Sequence, residues 1–488
     1  MSENPEERIR ADRLAKVEAL RAAGIDPYPA RAVERELVAD VRARHAGVPA
    51  GDETDDRVHL AGRIRGRRGH GKAMFLDLDD RSGRLQLHAT LDGLGEEPYA
   101  ALQEIDLGDV VAVAGVVFCS RRGELSVRLD EWSLLAKCLR PLPEKFHGLT
   151  DVELRLRRRY LDLLVNEESR TLAVARSRIV TAVRAALDGE GFLEVETPVL
   201  QPLYGGGAAR PFTTHYNEYD RTYYLRIATE LYLKRLIIGG LERVYELGKD
   251  FRNEGVSFKR SPEFTMVEWY EAYGDYETAM AITERVTAAA AAAAGSEVDM
   301  TPPWPRRTLR EAVTAEAGID PMADRDLERL LAHMRRDGID VGADRTWAQA
   351  VDHLLSHYVE PRITTPVFLT DYPVELSPFA KRSPRDPQLT ERFEAFCSGM
   401  EFANGFSELN DPADQRERFL AARLDAEAGD EEAAPMDEDF LTALEYGMPP
   451  TAGCGIGIDR LAMVLTGVRS IREVILFPPT RERDEPDV

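Results

Sequence analysis

An α+β chain of at least two domains is what the sequence predicts: a small five-stranded β-barrel, then a larger domain whose antiparallel sheet is flanked by helices. Three observations carry the prediction. At 488 residues the chain exceeds what a single hydrophobic core organises. Residues 58–143 hold five short alternating or β-branched runs separated by glycine-bearing turns. Residues 168–488 mix helical periods with strand-like runs such as RVYELGKDF and PEFTMVEWYEAY, which read as neighbours in an antiparallel sheet.

Residues 1–57 read as a helical extension. Ile9, Leu14, Val17 and Leu20 recur at helical spacing within residues 5–23, and Gly24 is placed to end the helix in a left-handed conformation. The runs VHLAGRIR, AMFLDLDD, GRLQLHATL, DVVAVAGVVF and ELSVRLDEWSLL then supply five strands. Such strands suit a closed barrel of OB type, whose sheet face can stack bases on aromatic side chains. Residues 144–167 pass from a proline-bearing into a strongly charged stretch and read as a linker. Within residues 168–488, the Ala-rich, acidic segment 275–350 reads as a helical insertion, with Ala288 to Ala294 as helix, and the acidic stretch 426–440 as a solvated surface loop.

Composition excludes several classes. With 43% hydrophobic and 31% charged residues and no apolar run of membrane-spanning length, no membrane partner is expected. The N-terminal MSENPEERIR lacks the apolar core of a signal peptide, so a cytoplasmic location is expected. Cys119, Cys138, Cys397 and Cys454 are far apart and form no CxxC pair; they read as small apolar residues rather than as disulfides or zinc ligands. The net charge of -23 runs against RNA binding, since phosphates attract Lys and Arg. Residues 58–143, however, carry 12 Lys plus Arg against 12 Asp plus Glu, so the acidic excess lies outside the barrel. Arg63, Arg65, Arg67, Arg68 and Lys72 form a basic cluster that fits a solvated loop or a nucleic-acid contact, the loop being favoured on charge alone.

Three segments of the larger domain concentrate unusual residue types. GFLEVETPVL (residues 191–200) leads to Thr197-Pro198, where proline ends a helix or fixes the start of a strand. Arg252-Asn253-Glu254 precedes the loop GVSFKR and then PEFTMVEWY, which puts Lys259 and Arg260 in a hairpin loop able to wrap a polyphosphate. GCGIGIDRLAMVL (residues 453–465) reads as a glycine-rich strand running into a helix, where a flat ring can lie on bare backbone with Arg460 stacked on it. A fourth constellation is acidic: Glu394 and Glu401 are followed by Asn404 and Glu408. Such carboxylates share a helix face or converge from a strand turn on a hard cation such as Mg2+; taken singly, each reads as a surface charge. Phe402 and Phe406 make the segment partly buried, where an unpaired carboxylate calls for a cation or ligand.

With these segments the chain resembles class II lysyl-tRNA synthetases of the bacterial type along nearly its whole length. GFLEVETPVL matches motif 1, FRNE with PEFTMVEWYEAY matches motif 2, and GIGIDR matches motif 3. LRPLPEKFHGL, RRRYLDLLVNEESR, ARPFTTHYNEYD, ELYLKRLIIGGLERVYELG, NGFSELND, DFLTALEYGMPPTAG and REVILFPP match outside the class-wide motifs. The resemblance implies an OB-fold anticodon-binding domain, a class II aminoacyl-tRNA synthetase catalytic domain and a homodimer through motif 1. It also implies ATP-dependent activation of lysine to lysyl-adenylate, transfer to the terminal ribose of tRNA(Lys), and Mg2+ as cofactor.

Residue by residue, the resemblance puts Arg252 on the lysine carboxylate and α-phosphate, Phe264 and Arg460 around adenine, Glu254 and Arg260 at ATP, and Glu394 and Glu401 on Mg2+. Arg252, Glu254 and Arg460 form its catalytic set. Lysine would meet Gly206, Glu230 and Glu268 at its α-amino end and Tyr270 and Glu408 at its ε-ammonium, with Asn404 and Phe406 lining the pocket. A carboxylate at 408 agrees with elementary physics, since a desolvated ammonium needs opposite charge. In the barrel, Phe75 and Gln86 match positions that stack on and hydrogen-bond an anticodon base, with Glu124 assisting, although Phe75 on its own reads as barrel core. The chain departs from the family pattern at Lys259-Arg260-Ser261, where Arg-His-Asn is common, and at Tyr204, Thr229, Met400 and Ala403. The alternative is a paralogue with altered substrate or acceptor, or a catalytically weakened regulatory one.

Overall fold

The computed structural model describes residues 5–31, 34–69, 71–143, 149–323, 325–342, 346–427 and 435–480. The chain divides into two compact units, Met1–Leu149 and Thr150–Val488.

In the first unit, β1 (Glu53–Arg68), β2 (Ala73–Asp80), β3 (Gly83–Thr90), β4 (Val110–Cys119) and β5 (Leu125–Ala136) close into a barrel in the order β1-β2-β3-β5-β4. The two-residue period of a strand decides which side chains enter it. Met74, Leu76 and Leu78 of β2 and Leu85, Leu87 and Ala89 of β3 are core, so Phe75, Gln86 and His88 lie on the other face, half-buried. Phe75 is therefore not a core residue. The basic cluster also differs from the solvated loop that charge favours, because residues 63–68 belong to β1. Arg63 donates to the Gly108 carbonyl (2.6 Å), Arg67 to those of Gln103 and Ile105, and Arg68 pairs with Asp77 (2.8 Å). His70 of the same stretch lies outside the described residues.

Helix Pro5–Ala22 forms as its apolar spacing predicts and is followed by Gly24 at φ 76°. Val38 and Val41, from helix Val38–Arg44, are fully buried in the barrel core, so residues before 58 share that core.

The second unit adds β6 (Leu193–Glu194), β7 (Leu200–Gln201), β8 (Thr213–Tyr216), β9 (Arg221–Leu225), β10 (Arg243–Phe251), β11 (Glu263–Ala272), β12 (Arg306–Thr308), β13 (Val367–Pro373), β14 (Leu389–Cys397), β15 (Met400–Ser407) and β16 (Thr451–Gly457). Eight of these form one sheet in the order β12-β13-β14-β15-β16-β11-β10-β6, antiparallel except for the parallel edges β12/β13 and β10/β6; β7-β9-β8 form a small sheet. RVYELGKDF and the strand after it pair antiparallel, as their sequences predict. One face of the large sheet carries Tyr245, Val267, Trp269, Phe393, Cys454 and Ile456 into a core shared with helices Glu167–Gly189, Tyr276–Ala294 and Ile458–Thr466. The alternate residues are left for the opposite face.

Two stretches depart from the sequence reading. Residues 150–167 pack as helices of the second unit rather than as a linker. Arg159, 4% exposed, pairs with buried Asp162 (2.8 Å) and donates to the carbonyls of Arg472, Ile475 and Leu476. Those partners lie some three hundred residues away in sequence. Residues 144–148 are outside the described residues. Segment 275–350 is not one insertion: Tyr276–Ala294 is scaffold beneath the sheet, whereas Leu309–Ala317, Leu327–Arg336 and Trp347–Leu354 build a separate core around Leu330, Met334 and Val351. In the acidic stretch 426–440, residues 428–434 are outside the described residues and Glu438 begins helix Glu438–Glu445. Among the described residues no helix is long and apolar enough to cross a membrane.

Candidate active site

Strand register aligns the chemistry in rows across the exposed sheet face. Glu394, Asn404, Gly455 and Glu268 are successive register partners on β14, β15, β16 and β11; Phe406, Gly453 and Tyr270 form the next row. The central strand contributes only glycine to both rows, so the floor is a trough. A Cβ at Gly453 would collide with Glu408 Oε1 and stand 2.6 Å from Tyr270 Cε1, and one at Gly455 would stand 2.9 Å from Met266 Cε. Gly206, at φ +83°, closes the side of the trough against Glu230 and Leu231.

The resulting cleft of about 330 Å³ brings together nearly all the catalytic-domain candidates. Gly206, Glu230, Glu268, Tyr270, Asn404, Phe406 and Glu408 line it, and so do Arg252, Glu254, Arg260, Phe264, Glu401 and Arg460. Glu394 does not line it.

One end is cationic. The Arg252 guanidinium lies 5.3 Å from the Phe264 ring centroid, with Nε 3.4 Å from the Ile227 carbonyl. Arg460, in the first turn of helix Ile458–Thr466, donates through Nη1 to Glu401 Oε2 (2.6 Å) and through Nε to the Lys259 carbonyl (3.3 Å), tying the helix to the β10–β11 loop. The loop's two cations are used differently. Lys259 Nζ is held by both carboxylate oxygens of Glu360 (2.7 and 2.8 Å), whereas the Arg260 side chain is 60% exposed, 3.9 Å from Glu254.

The other end is acidic and buried. Glu230, Glu268 and Glu408 are all buried. Burial pushes the Glu268 carboxyl up to about 8, with Asp250 and Glu230 adding to the rise. Burial also pushes Glu408 well above the usual carboxylate range and raises Glu230; Lys234 opposes both shifts. The Lys234 ammonium lies 2.5 Å from Glu230 Oε1 and 2.5 Å from Glu408 Oε2. Lys234 holds Glu408 Oε2, and Oε1 has no hydrogen-bond partner among the described residues. A buried carboxylate in that condition suits a second cation.

Glu394 and Glu401 sit on the two strands of one hairpin and each already meets an arginine. Tyr372 donates its hydroxyl to Glu394 Oε2 (2.7 Å) and Arg392 Nη2 to Oε1 (2.6 Å). Burial pushes Glu394 up to about 7, Arg392 opposing and Glu401 adding. Among the described residues no three His, Cys, Asp or Glu side chains are grouped to hold a metal. Two hard oxygen donors that repel one another still fit Mg2+, which takes one or two carboxylates and fills its remaining positions with substrate phosphate and water.

In the barrel, Phe75 stacks on His88 (centroids 4.6 Å, interplanar 15°), Ser126 donates to Gln86 Oε1 (3.2 Å), and Glu124 pairs with Arg42 (3.3 Å). Sequence reasoning missed Lys234, Arg392 and His88. Lys234 follows Glu230 by four residues on helix Glu230–Ile238, His88 follows Gln86 by two on β3, and Arg392 precedes Glu394 by two on β14. These same-face spacings were the available signal.

The family model for class II tRNA synthetases (D, K and N) matches residues 151–481, and that for the OB-fold nucleic acid binding domain matches residues 58–135. The chain is 50% identical over 491 residues to the lysine–tRNA ligase of Moorella thermoacetica, covering 98% of each chain. It is 49% identical to that of Chloroflexus aurantiacus (98% of this chain, 99% of the relative) and 48% identical to that of Pelotomaculum thermopropionicum (98% and 95%).

Proposed function

The chain belongs to the class II tRNA synthetases and is a lysine–tRNA ligase, and we propose that its one cleft divides the work of that reaction between its two ends. The enzyme is ATP-dependent and its substrates are lysine, ATP and tRNA. One observation carries the assignment of ends: a single cleft with guanidinium groups at one end and buried carboxylates at the other. Lysine is itself polar in this sense, carrying a carboxylate near one end and an ammonium at the other. Its α-amino group goes to Glu230 and Glu268 beside Gly206. Its ε-ammonium goes to Glu408 and Tyr270, between Asn404 and Phe406.

The lysine carboxylate then faces Arg252. Its oxygen forms a bond to the α-phosphorus of ATP as the bond to the bridging oxygen of pyrophosphate breaks. In the second step the tRNA ribose hydroxyl forms the ester and AMP leaves. A carboxylate is already nucleophilic, so positioning and charge neutralisation by Arg252 and Arg460 supply the catalysis. Phe264 and Arg460 flank adenine, while Glu254 and Arg260 meet ATP at the cleft mouth. Glu401, with Glu394 beside it on the paired strand, would hold Mg2+, which would supply positive charge to neutralise the phosphates. On the barrel, Phe75 stacks an anticodon base, Gln86 hydrogen-bonds it and Glu124 assists. The chain works as a homodimer in the cytoplasm.

The test is ATP–pyrophosphate exchange across a panel of amino acids and Mg2+ concentrations. Exchange should depend on lysine and on Mg2+, and the Glu401→Gln variant should require more Mg2+. Exchange supported equally by ornithine or aspartate would refute the assignment of the acidic end.

A further inference from the structure

We infer that Lys234 is a resident counter-cation of the lysine pocket, a positioning residue that keeps Glu230 and Glu408 oriented and available as carboxylates for the substrate. The inference rests on the reading of Glu408 as the ε-ammonium site. Lys234 is fully buried, its ammonium 2.5 Å from both carboxylates and 5.2 and 5.6 Å from the ring centroids of Phe379 and Phe406. Two carboxylates and two aromatic faces are what a desolvated ammonium requires. Packing alone gives no reason for a lysine here, because an aliphatic side chain would fill the space without the cost of burying a charge.

The pocket's charge balance supplies the reason. Burial raises Glu230, Glu268 and Glu408 alike; Glu230 adds to the rise at the other two, and Glu268 to that at Glu408. At Glu230 and at Glu408, Lys234 is the largest influence opposing burial. Of the other groups facing them, Arg392 opposes at Glu230, while Tyr270 and Cys454 are themselves pushed up and stay neutral. Geometry divides the Glu408 carboxylate as well. Lys234 meets Oε2, whereas Oε1 faces the Cα of Gly453 and the Tyr270 ring on the cleft floor. Resident and substrate ammonium groups therefore take different oxygens of one carboxylate.

The experiment is the lysine KM in ATP–pyrophosphate exchange as a function of pH for the full chain and for Lys234→Met, Lys234→Arg and Glu408→Gln. Lys234→Met should raise KM about tenfold or more at neutral pH, equivalent to one pH unit of carboxyl shift, with the excess shrinking as pH rises and the carboxyls ionise unaided. Lys234→Arg, which keeps the cation, should follow the wild-type profile. If Lys234→Met merely parallels the wild type while Glu408→Gln raises KM, Lys234 is packing and the inference is overturned. If Glu408→Gln leaves KM unchanged, the underlying pocket assignment fails instead. Should Lys234→Met not fold, Lys234→Arg decides: a wild-type profile supports the cation's role and a displaced one overturns it.

Discussion

Substituting Gly453 by alanine adds one methyl group to the bottom of the trough. Its Cβ would overlap Glu408 Oε1 and stand 2.6 and 2.8 Å from two carbons of the Tyr270 ring, against the 3.4 Å at which ordinary van der Waals contact begins. The ring would have to retreat by about 0.8 Å and the carboxylate by more. Glu408 has nowhere to go, since Lys234 stands 2.5 Å behind its other oxygen and the residue is 1% exposed. The variant therefore loses the alignment of a charge-assisted hydrogen bond to the substrate ammonium, about 1.5–3 kcal/mol, or roughly 10- to 150-fold in lysine affinity. Overpacking should also destabilise the fold by about 1–3 kcal/mol. The assay is ATP–pyrophosphate exchange, with KM taken separately for lysine and ATP, and thermal unfolding as the control. Lysine KM should rise while ATP KM stays near wild type. A folded variant with unchanged lysine KM, or with ATP KM raised equally, would refute the placement of the ε-ammonium against Glu408.

Three further outcomes follow from the same geometry. Arg252→Lys keeps a charge but loses the planar fork over Phe264; kcat should fall about 10²- to 10³-fold in pyrophosphate exchange, as when one preorganised charge-stabilising donor is removed. Glu268, at 4.5 in the unfolded chain and pushed up to about 8 in the fold, keeps its proton there at neutral pH, so stability of the unliganded protein should fall as pH rises from about 4.5 to about 8. Urea midpoints across that window should show this limb, Glu268→Gln should flatten it, and a flat wild-type curve would contradict the shift. Arg159→Ala leaves buried Asp162 without one of its cations and uncaps three carbonyls of the C-terminal segment, so urea unfolding should report a loss of about 3–5 kcal/mol; a loss below about 1 kcal/mol would return residues 150–167 to the role of a linker.

The parts of the fold legible in the sequence are those set by local periodicity. The barrel strands announce themselves because alternate residues such as Leu76 and Leu78 must enter the core, and the helix ending near Gly24 because that position takes a positive φ. The cleft was legible residue by residue through motif resemblance, and strand register explains why residues so far apart in sequence belong together: Glu268, Gly455 and Asn404 are neighbours only once β11, β16 and β15 pair. What stayed hidden depends on distant partners. The stretch around Arg159 looks like a linker because its charges have no local reason to be buried; the reason is a set of carbonyls at residues 472–476. Lys234 reads as an ordinary helical lysine until Glu408, 174 positions later in the numbering, arrives beside it. Glu394 shares a hairpin with Glu401, but its carboxylate is engaged by Arg392, which spacing along β14 signals, and by Tyr372 of β13, which that spacing does not reveal.

The most direct test of the central claim is aminoacylation of purified tRNA with labelled lysine, ATP and Mg2+, comparing the full chain with its Glu408→Gln variant. The wild type should charge tRNA with lysine, and the lysine requirement should rise steeply when that one buried carboxylate is neutralised. Charging that is indifferent to Glu408, or lysine activation that never reaches tRNA, would contradict it.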